Sequence, residues 1–417
     1  MKDTLGVLLA GGAGERLYPL TRDRAKPAVT FGGNYRIIDI TLSNCINSDL
    51  RKVYILTQYK ALSLNRHIRE GWGSAVASEL GEFIEVLPPM KRVSDSWYLG
   101  TADAVYQNIY SIGSEQSKYV LILSGDHIYK MNYQLMLDHH ISAGADVTLA
   151  TILIDPSETD RFGVVDIDKS GRITGFLEKP KATKLRSPYN PEMVSGSMGV
   201  YIFNTDVLLP VLLKDAEDTS SSHDFGKDIL PKILDQYKLY SYNFIDENMK
   251  EAQYWRDVGT IEAYYEANMD LVSVSPVFNL YDRHWPIRTQ QRQYPPAKFV
   301  FGEPGRTGMA IDSIVCPGCI ISGGAVRNCV ISPDVRVNSY TEVDQSIIFS
   351  HVNIGRHCRI RNTIIDRDVQ IPEGSVIGFD PVQDAKNYIV TETGITIVTR
   401  DYSLFESPVA VDYFTSE

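Results

Sequence analysis

The 417-residue sequence predicts an α/β domain followed by a parallel β-helix, and two observations carry this prediction. Up to about residue 275, short apolar runs alternate with longer mixed segments, which is typical of strands and helices in a mainly parallel α/β sheet. Beyond about residue 305, β-branched apolar positions recur every six residues, which is the pattern of a β-helix.

The elements of the first part follow from these apolar runs, most of which stop at Gly, Asp or Pro. The predicted strands are residues 6–10, 52–57, 119–124, 146–154, 173–177 and 199–203. Apolar residues at helical spacing predict helices over 35–48 and 104–112.

A proline-rich segment separates the two parts. Residues 276–304 contain five prolines and show no regular apolar period. We therefore expect a first domain at 1–275, a linker at 276–304 and a β-helix domain at 305–417.

Four ladders of apolar residues show the six-residue step of the second part. They are Ile314, Ile320 and Val326; Ile331, Val337, Val343 and Phe349; Ile348, Ile354 and Ile360; and Ile365, Ile371 and Ile377. Each step should be one short strand and a turn, with the apolar residue pointing into a triangular solenoid. The frame shifts by one or two residues between ladders, so the sequence predicts the repeat but not each coil's register. A β-sandwich, which needs a period of two along each strand, is the weaker interpretation.

Composition and charge exclude several classes of protein. Hydrophobic residues make up 43% and charged residues 22%, and no apolar run approaches the roughly 20 residues of a membrane span. The net charge of -11 gives no general attraction to nucleic acid or to an anionic membrane, so a phosphate ligand needs a local basic cluster. Five cysteines are too few for a disulfide framework, and the start lacks a signal-peptide core. We therefore expect a cytoplasmic location.

A glycine-rich loop follows the first predicted strand. Gly11, Gly12 and Gly14 would let backbone N–H groups approach a polyphosphate, and Arg16 and Lys26 could neutralise its charge. The loop lacks the Gly-Lys-Ser/Thr of a Walker loop and the Gly-x-Gly-x-x-Gly spacing of a dinucleotide site. A tight turn between a strand and a helix is the alternative interpretation.

Two aspartates are the candidate metal ligands. Asp126 comes just after the predicted strand 119–124, where open α/β sheets place their ligands, and Asp257 lies in a turn near the end of the same domain. Two such carboxylates could share one Mg²⁺ ion that bridges phosphate oxygens. For each aspartate alone, a turn or a helix cap is the alternative.

These and further motifs resemble those of the bacterial glucose-1-phosphate adenylyltransferases, the ADP-glucose pyrophosphorylases, over nearly the whole chain. The motifs are Gly-Gly-Ala-Gly-Glu-Arg-Leu (11–17), Arg-Ala-Lys-Pro-Ala-Val (24–29), Phe-Gly-Gly (31–33), Tyr-Arg-Ile-Ile-Asp (35–39), Gly-Thr-Ala-Asp-Ala (100–104), Ser-Gly-Asp-His-Ile-Tyr (124–129), Phe-Gly-Val (162–164), Glu-Lys-Pro (178–180), Ser-Met-Gly (197–199), Ser-His-Asp-Phe-Gly-Lys-Asp (222–228) and Tyr-Trp-Arg-Asp-Val-Gly-Thr (254–260). Many sugar nucleotidyltransferases share the glycine loop and Lys-Pro. The segments at 35–39, 125–129 and 222–228 are more particular to the ADP-glucose branch.

The resemblance implies a Rossmann-like mixed-sheet nucleotidyltransferase domain followed by a left-handed β-helix. The implied reaction is adenylyl transfer from ATP to α-D-glucose 1-phosphate, which gives ADP-glucose and diphosphate for glycogen synthesis. The resemblance also implies Mg²⁺ as the cofactor, small-molecule allosteric effectors and a homotetramer.

The resemblance further implies a role for each matching residue. Arg16, Lys26 and Asp126 would be catalytic, and Asp126 and Asp257 would hold the metal. The nucleotide would contact Gly11, Gly12, Gly14, Gln58, Gly100 and Thr101. Glucose 1-phosphate would lie against Tyr98, Gly163, Glu178, Lys179 and Ser197, with Trp255 and Phe225 packing on the sugar.

One position departs from the family pattern. Enteric-type members carry a basic residue three positions before the Lys-Pro lysine, near the activator, where this chain has Asp23 between Arg22 and Arg24. A carboxylate there would repel an anionic activator. We therefore expect weak or absent activation by fructose 1,6-bisphosphate.

Three other functions stay open at this point. They are a pyrophosphorylase for UDP-, dTDP- or GDP-sugars, a β-helix acyltransferase that uses acyl coenzyme A, and a non-catalytic regulatory subunit of the same fold. Such subunits tend to lose charged site residues, whereas Arg16, Lys26, Asp126, Lys179 and Asp257 are all present here.

Overall fold

The computed structural model describes residues 1–12, 14–89, 97–250 and 253–400. The strands of its α/β half are β1 (Thr4–Ala10), β2 (Thr30–Phe31), β3 (Tyr35–Arg36), β4 (Lys52–Thr57), β5 (Phe83–Leu87), β6 (Tyr119–Ser124), β7 (His127–Tyr129), β8 (Val147–Ile154), β9 (Gly163–Ile167), β10 (Ile173–Glu178), β11 (Val194–Asn204), β12 (Leu239–Asn243) and β13 (Trp255–Asp257). The α-helices are α1 (Ile37–Asn47), α2 (Leu62–Gly71), α3 (Thr101–Gln107), α4 (Ile109–Ser114), α5 (Tyr133–Ser142), α6 (Thr205–Ala216), α7 (Leu230–Ile233) and α8 (Ile261–Asp270). Shorter helical turns are Glu15–Leu17, Lys26–Ala28, Gly73–Ala75, Ser78–Leu80, Pro156–Arg161 and Phe225–Ile229.

The α/β half is built on a nine-stranded mixed sheet. Seven strands follow the order β10-β9-β11-β6-β1-β4-β5, and β8 pairs with both β11 and β12. Strands β6, β1, β4 and β5 are parallel, whereas β11 is antiparallel to β6 and β8. On β1, Leu8 packs into one core cluster and Val7 into another, so both faces of the sheet are covered. Double burial explains why the central strands are continuous apolar runs.

Most of the predicted elements are confirmed. Strands 52–57 and 119–124 have the predicted bounds, and strand 199–203 is part of the longer β11. The single helix predicted at 104–112 is wrong, because two helices meet at Asn108. The Asn108 side chain donates to the Ala104 carbonyl, and such local bonds compete with helical ones. Helix α1 begins later than predicted, because residues 35–36 pair with β2 as a strand.

The second half is a coil of short strands. They are β14 (Lys298–Val300), β15 (Gly302–Glu303), β16 (Arg306–Thr307), β17 (Met309–Ile311), β18 (Ile314–Val315), β19 (Ile320–Ser322), β20 (Ala325–Arg327), β21 (Val330–Ile331), β22 (Arg336–Val337), β23 (Glu342–Asp344), β24 (Ile347–Ile348), β25 (Asn353–Ile354), β26 (Arg359–Arg361), β27 (Thr363–Ile365), β28 (Gln370–Ile371), β29 (Val376–Ile377), β30 (Ile389–Val390) and β31 (Thr396–Val398), with helix α9 (Pro381–Asp384). Three stacked sheets run β14-β19-β22-β25-β28, β17-β20-β23-β26-β29 and β18-β21-β24-β27-β31-β30. The predicted fold class is confirmed.

The register of the coils explains the shifting frame of the ladders. Val343 pairs with Val326 on one side and with Ile360 on the other, all of them buried. Equivalent positions, such as Ser322 and Ser339, are 17 residues apart. Seventeen residues on three faces give steps of six, six and five, so each new coil moves the six-residue frame by one position.

The two halves share an apolar cluster. Phe31 and Tyr264 of the first half and Phe278 of the predicted linker pack with Ile347 and Phe349 of the coil. At this contact Gly33 has a φ of 81°, and a Cβ there would lie 2.7 Å from the Cys316 Sγ. A side chain at Gly33 would therefore push the halves apart.

The segment predicted as a linker packs against the first half. The Trp285 indole N–H donates to the Asn44 Oδ1 at 2.8 Å, and the Asn47 side chain donates to the Pro286 carbonyl.

The domain bounds at 275, 276–304 and 305 stay a prediction, and residues 401–417 lie outside the described residues. Within the described part of the chain, none of the helices has the length and apolar character needed to cross a membrane.

A buried ion pair joins the halves and generates the first testable prediction. The Arg24 guanidinium donates to both oxygens of Asp366 at 2.9 and 3.0 Å, and both side chains are buried. Arg24→Met should lower the free energy of unfolding by about 3–5 kcal/mol, because Asp366 would stay buried without a counter-charge. Urea unfolding measures the loss. The double variant Arg24→Met/Asp366→Leu should recover most of it, and an unchanged midpoint for Arg24→Met would contradict the assignment.

Candidate active site

A two-lobed cleft opens at the edge of the sheet where β1, β4 and β6 end. Loops at the carboxyl ends of parallel strands form the usual ligand site of open α/β sheets. The first lobe, of about 410 Å³, is lined by Leu9, Ala10, Gly11, Gly12, Lys26, Pro27, Leu56, Gln58, Tyr59, Tyr98, Gly100, Thr101, Ala104, Ser124, Asp126 and Asp224. The second lobe, of about 260 Å³, is lined by Leu9, Thr101, Ser124, His127, Arg161, Phe162, Gly163, Glu178, Lys179, Ser197, Met198, Gly199, Tyr201, Asp224, Phe225, Gly226, Trp255 and Asp257. The lobes share Leu9, Thr101, Ser124 and Asp224.

The first lobe contains most of the residues predicted to bind the nucleotide. Gly11 and Gly12 follow β1, Gln58 follows β4, and Gly100 and Thr101 begin α3. A Cβ on Gly12 would meet no atom within 4 Å, so the backbone there faces open space. This leaves room for a ligand to approach the main chain closely.

Gly14 packs closely against Thr21 and Lys26. It has a φ of 66°, and a Cβ there would lie 3.0 Å from the Thr21 Cγ2 and 3.1 Å from the Lys26 Cβ. Its carbonyl accepts a hydrogen bond from the Thr21 hydroxyl. Gly14 therefore fixes the path of the loop toward Lys26.

The second lobe brings together four of the five residues predicted to bind glucose 1-phosphate. These are Gly163, Glu178, Lys179 and Ser197. Tyr98 lies apart from them on the wall of the first lobe, where its hydroxyl accepts a hydrogen bond from the Asn108 side chain. The sequence contains no signal that separates Tyr98 from the other four.

Local backbone geometry explains how the second lobe is shaped. A Cβ on Gly163 would lie 2.4 Å from the Phe176 ring and 3.0 Å from the Glu178 Oε2, so only glycine fits. Ser197 lies where β11 changes register against β8, and such irregularities redirect side chains beside active sites. Burial raises the pKa of Glu178, although Lys179, whose Nζ lies 3.6 Å away, opposes this shift.

Lys26 lies at the centre of the site, between the two aspartates. Its Nζ is 2.8 Å from the Asp126 Oδ2 and 2.9 Å from the Asp257 Oδ1. The lysine side chain is 8% exposed, whereas each aspartate is about one-third exposed toward the cleft. The ammonium group is therefore mostly buried, whereas the two carboxylates are accessible from the cleft.

Charge pairing sets the protonation of this centre. Burial by itself would lower the pKa of Lys26, but Asp126 and Asp257 raise it above its usual value. Burial would likewise raise the pKa of Asp126, but the charge of Lys26 and a hydrogen bond from Ser124 hold it well below its usual range. Both groups are therefore ionised at neutral pH.

The aspartates also form the strongest candidate metal site. Strand β13 pairs with β7, which puts Asp257 opposite His127 and beside Asp126. One ligand atom from each of these three residues lies within 4.8 Å of the others. Two carboxylates that converge in this way fit a hard divalent cation, which prefers oxygen ligands.

Arg16 lies in a neighbouring recess, not in either lobe as lined above. The recess also contains Asp257 and Gly259, and a Cβ on Gly259 would lie 3.0 Å from an Arg16 guanidinium nitrogen. Arg16 is exposed, so its guanidinium can reach an anion at the mouth of the cleft.

Several residues that line the cleft have no site role predicted from the sequence. Asp224 lines both lobes, and His127 and Arg161 line the second. The motifs at 222–228 and 124–129 contain Asp224 and His127 and were the available signals. Arg161 directly precedes the motif at 162–164 but is not part of it.

Comparisons with known proteins agree with this architecture. Residues 5–274 match the nucleotidyl transferase family, and residues 295–398 match the GlmU-like C-terminal hexapeptide family. A glucose-1-phosphate adenylyltransferase of Koribacter versatilis is 77% identical over 417 residues, covering 100% of both chains. Proteins of the same name from Rhodopirellula baltica and Methylococcus capsulatus are 53% and 49% identical, over 99% and 96% of this chain and 93% and 94% of their own.

The sequence identity extends over both halves of the chain and therefore shows the family to which the chain belongs. The chain belongs to the glucose-1-phosphate adenylyltransferase family.

Proposed function

We propose that this protein transfers the adenylyl group of ATP to α-D-glucose 1-phosphate, which forms ADP-glucose and diphosphate for glycogen synthesis. The observation that carries the proposal is the position of the Lys26, Asp126 and Asp257 cluster at the junction of two lobes. Two ligands placed in adjoining lobes would meet beside these charges.

The chemistry needs no protein nucleophile. A phosphate oxygen of glucose 1-phosphate attacks the α-phosphorus of ATP in line, the bond from that phosphorus to the bridging oxygen breaks, and diphosphate leaves with the electron pair. Catalysis then consists of bringing two anions together and stabilising the charge of the transition state. Lys26 would supply positive charge in the first lobe, and Arg16 would supply it from the recess beside the second lobe.

Each of the two lobes would bind one substrate. ATP would lie in the first lobe, with its phosphates along Gly11 and Gly12 and its base toward Gln58. Glucose 1-phosphate would lie in the second lobe, with its phosphate near Lys179 and its hydroxyls donating to Glu178.

Mg²⁺ is the proposed cofactor, held by Asp126 and Asp257. When bound, it would supply positive charge that offsets the negative charge of the phosphate groups. The same carboxylates contact Lys26, which would keep them oriented toward the ligand.

Substrate choice tests the proposed function most directly. The full chain is incubated with glucose 1-phosphate and ATP, UTP, GTP or dTTP, and diphosphate release is measured with Mg²⁺ or with EDTA. ATP should be turned over at least about tenfold faster than the others, and EDTA should abolish release. Asp126→Asn is the inactive control. A preference for another nucleotide would assign a different pyrophosphorylase, and no turnover of any nucleotide would favour a regulatory subunit.

The position of Lys179 predicts a selective loss. Lys179→Gln should raise the KM for glucose 1-phosphate by about tenfold or more and change that for ATP by less than about twofold, because the lost ion pair belongs to one substrate. Lys181→Gln, at an exposed position two residues along, is the matched control. Equal losses for both substrates would contradict the placement of Lys179.

Small anionic effectors are a further part of the proposal. A cavity of about 250 Å³ between the two halves has Arg36, Arg292 and Arg367 in its lining, with one carboxylate, that of Asp368. Burial, together with the nearby guanidinium groups, lowers the pKa of Arg36 to about 10. Such a cluster would favour a phosphorylated metabolite.

The pairing of Arg24 supports the expectation that an anionic activator binds weakly near Asp23. The Arg24 guanidinium is already paired with Asp366, so it adds little charge for a ligand near Asp23. Arg22 lies 3.5 Å from the Asp23 carboxylate and also donates to the Arg400 carbonyl. The local charge available to an anionic activator is therefore small.

Effector titration tests this regulation. Fructose 1,6-bisphosphate should activate the enzyme weakly or not at all, and Asp23→Lys should increase the response because it replaces a repelling charge. Fructose 6-phosphate, glucose 6-phosphate, pyruvate and AMP are titrated in parallel. Strong activation of the unmodified enzyme by fructose 1,6-bisphosphate would refute the expectation.

The homotetramer and the cytoplasmic location stay predictions.

A further inference from the structure

The segment 222–226 is fastened to the first turn of α3, and we refer to it as the clasp. The Thr101 hydroxyl donates to the Asp224 Oδ2 at 2.9 Å and accepts from the Phe225 N–H at 3.0 Å. The His223 carbonyl accepts from the Ala102 N–H at 2.8 Å. One residue of α3 thus holds both the side chain of Asp224 and the backbone that follows it.

The clasp joins the walls of the two lobes. Thr101 and Asp224 line both lobes, whereas Phe225 and Gly226 line the second. A Cβ on Gly100 would lie 2.3 Å from the His223 carbonyl oxygen, so the two backbones meet without a side chain between them. The contact is therefore too close for the clasp to shift without moving α3.

The far side of the clasp touches the residue predicted to bind the sugar. The Asp224 Oδ1 accepts from the Gly226 and Lys227 N–H groups at 2.9 and 3.1 Å, which fixes the carboxylate. A Cβ on Gly226 would lie 2.7 Å from the Glu178 Oε2. The position of Glu178 therefore depends on the same segment that Thr101 holds.

We propose that Thr101 is a positioning residue for glucose 1-phosphate, which acts through Asp224 and Phe225. Its one hydroxyl proton goes to Asp224 and it also accepts from Phe225, so the contacts of this side chain are directed to the wall of the second lobe. The inference rests on the proposed function and differs from the nucleotide contact that the family resemblance implies for Thr101.

The test compares Thr101→Val with Thr101→Ser in the full chain. Thr101→Val removes a hydrogen bond to a charged carboxylate and should raise the KM for glucose 1-phosphate about tenfold, with less than about twofold change for ATP. Thr101→Ser keeps the hydroxyl and should retain most of the affinity for glucose 1-phosphate that Thr101→Val loses. Asp224→Asn should raise the same KM, and the Thr101→Val/Asp224→Asn double variant should lose less than the sum of the two, because both changes break one interaction.

Other outcomes would overturn the inference. A selective rise in the KM for ATP would show that Thr101 contacts the nucleotide. A lower melting temperature with both KM values unchanged would show a purely structural role. If Thr101→Val does not fold, Asp224→Asn alone decides, and an unchanged KM for glucose 1-phosphate then refutes the inference. Absence of ADP-glucose formation by the unmodified enzyme would instead refute the proposed function.

Discussion

The Lys26 ammonium between two carboxylates is the interaction on which the rest of the site depends. Asp126 and Asp257 lie 100 and 231 residues from Lys26 along the chain, so this contact joins three distant segments. A lysine with little exposure is costly unless it is paired, and the paired geometry therefore holds the three segments together. The two lobes adjoin these charges, because Lys26 and Asp126 line the first lobe and Asp257 lines the second.

The coil stabilises the same region from the other side. Arg24, two residues before Lys26, pairs with Asp366 of the coil, and its guanidinium lies 5.9 Å from the centre of the Phe349 ring. The chain is therefore anchored to the coil at residue 24 and to the active-site aspartates at residue 26. The shared apolar cluster around Phe31 and Phe349 buries the surfaces between these points. A ligand in the arginine-lined cavity between the halves would contact the same interface.

Sequence reasoning succeeded where the pattern was determined by burial. Doubly covered strands such as β6 are continuous apolar runs, and the buried ladder around Val343 gave the coil repeat. It failed where one side-chain contact decided the outcome. The break at Asn108 depends on a bond to the Ala104 carbonyl. The hydrogen bond between Thr101 and Asp224 joins residues 123 positions apart in the chain, so no local pattern predicts it.

The central claim is that the two substrates react directly with each other across the junction of the lobes. The stereochemical course of the reaction at the α-phosphorus tests this claim. The substrate is ATP in which sulfur replaces one defined non-bridging oxygen of the α-phosphate. A single in-line displacement predicts inversion of configuration in the ADP-glucose product. Retention would require two displacements and a covalent enzyme intermediate, and would contradict a site in which Lys26, Asp126 and Asp257 only bind and orient the reacting groups.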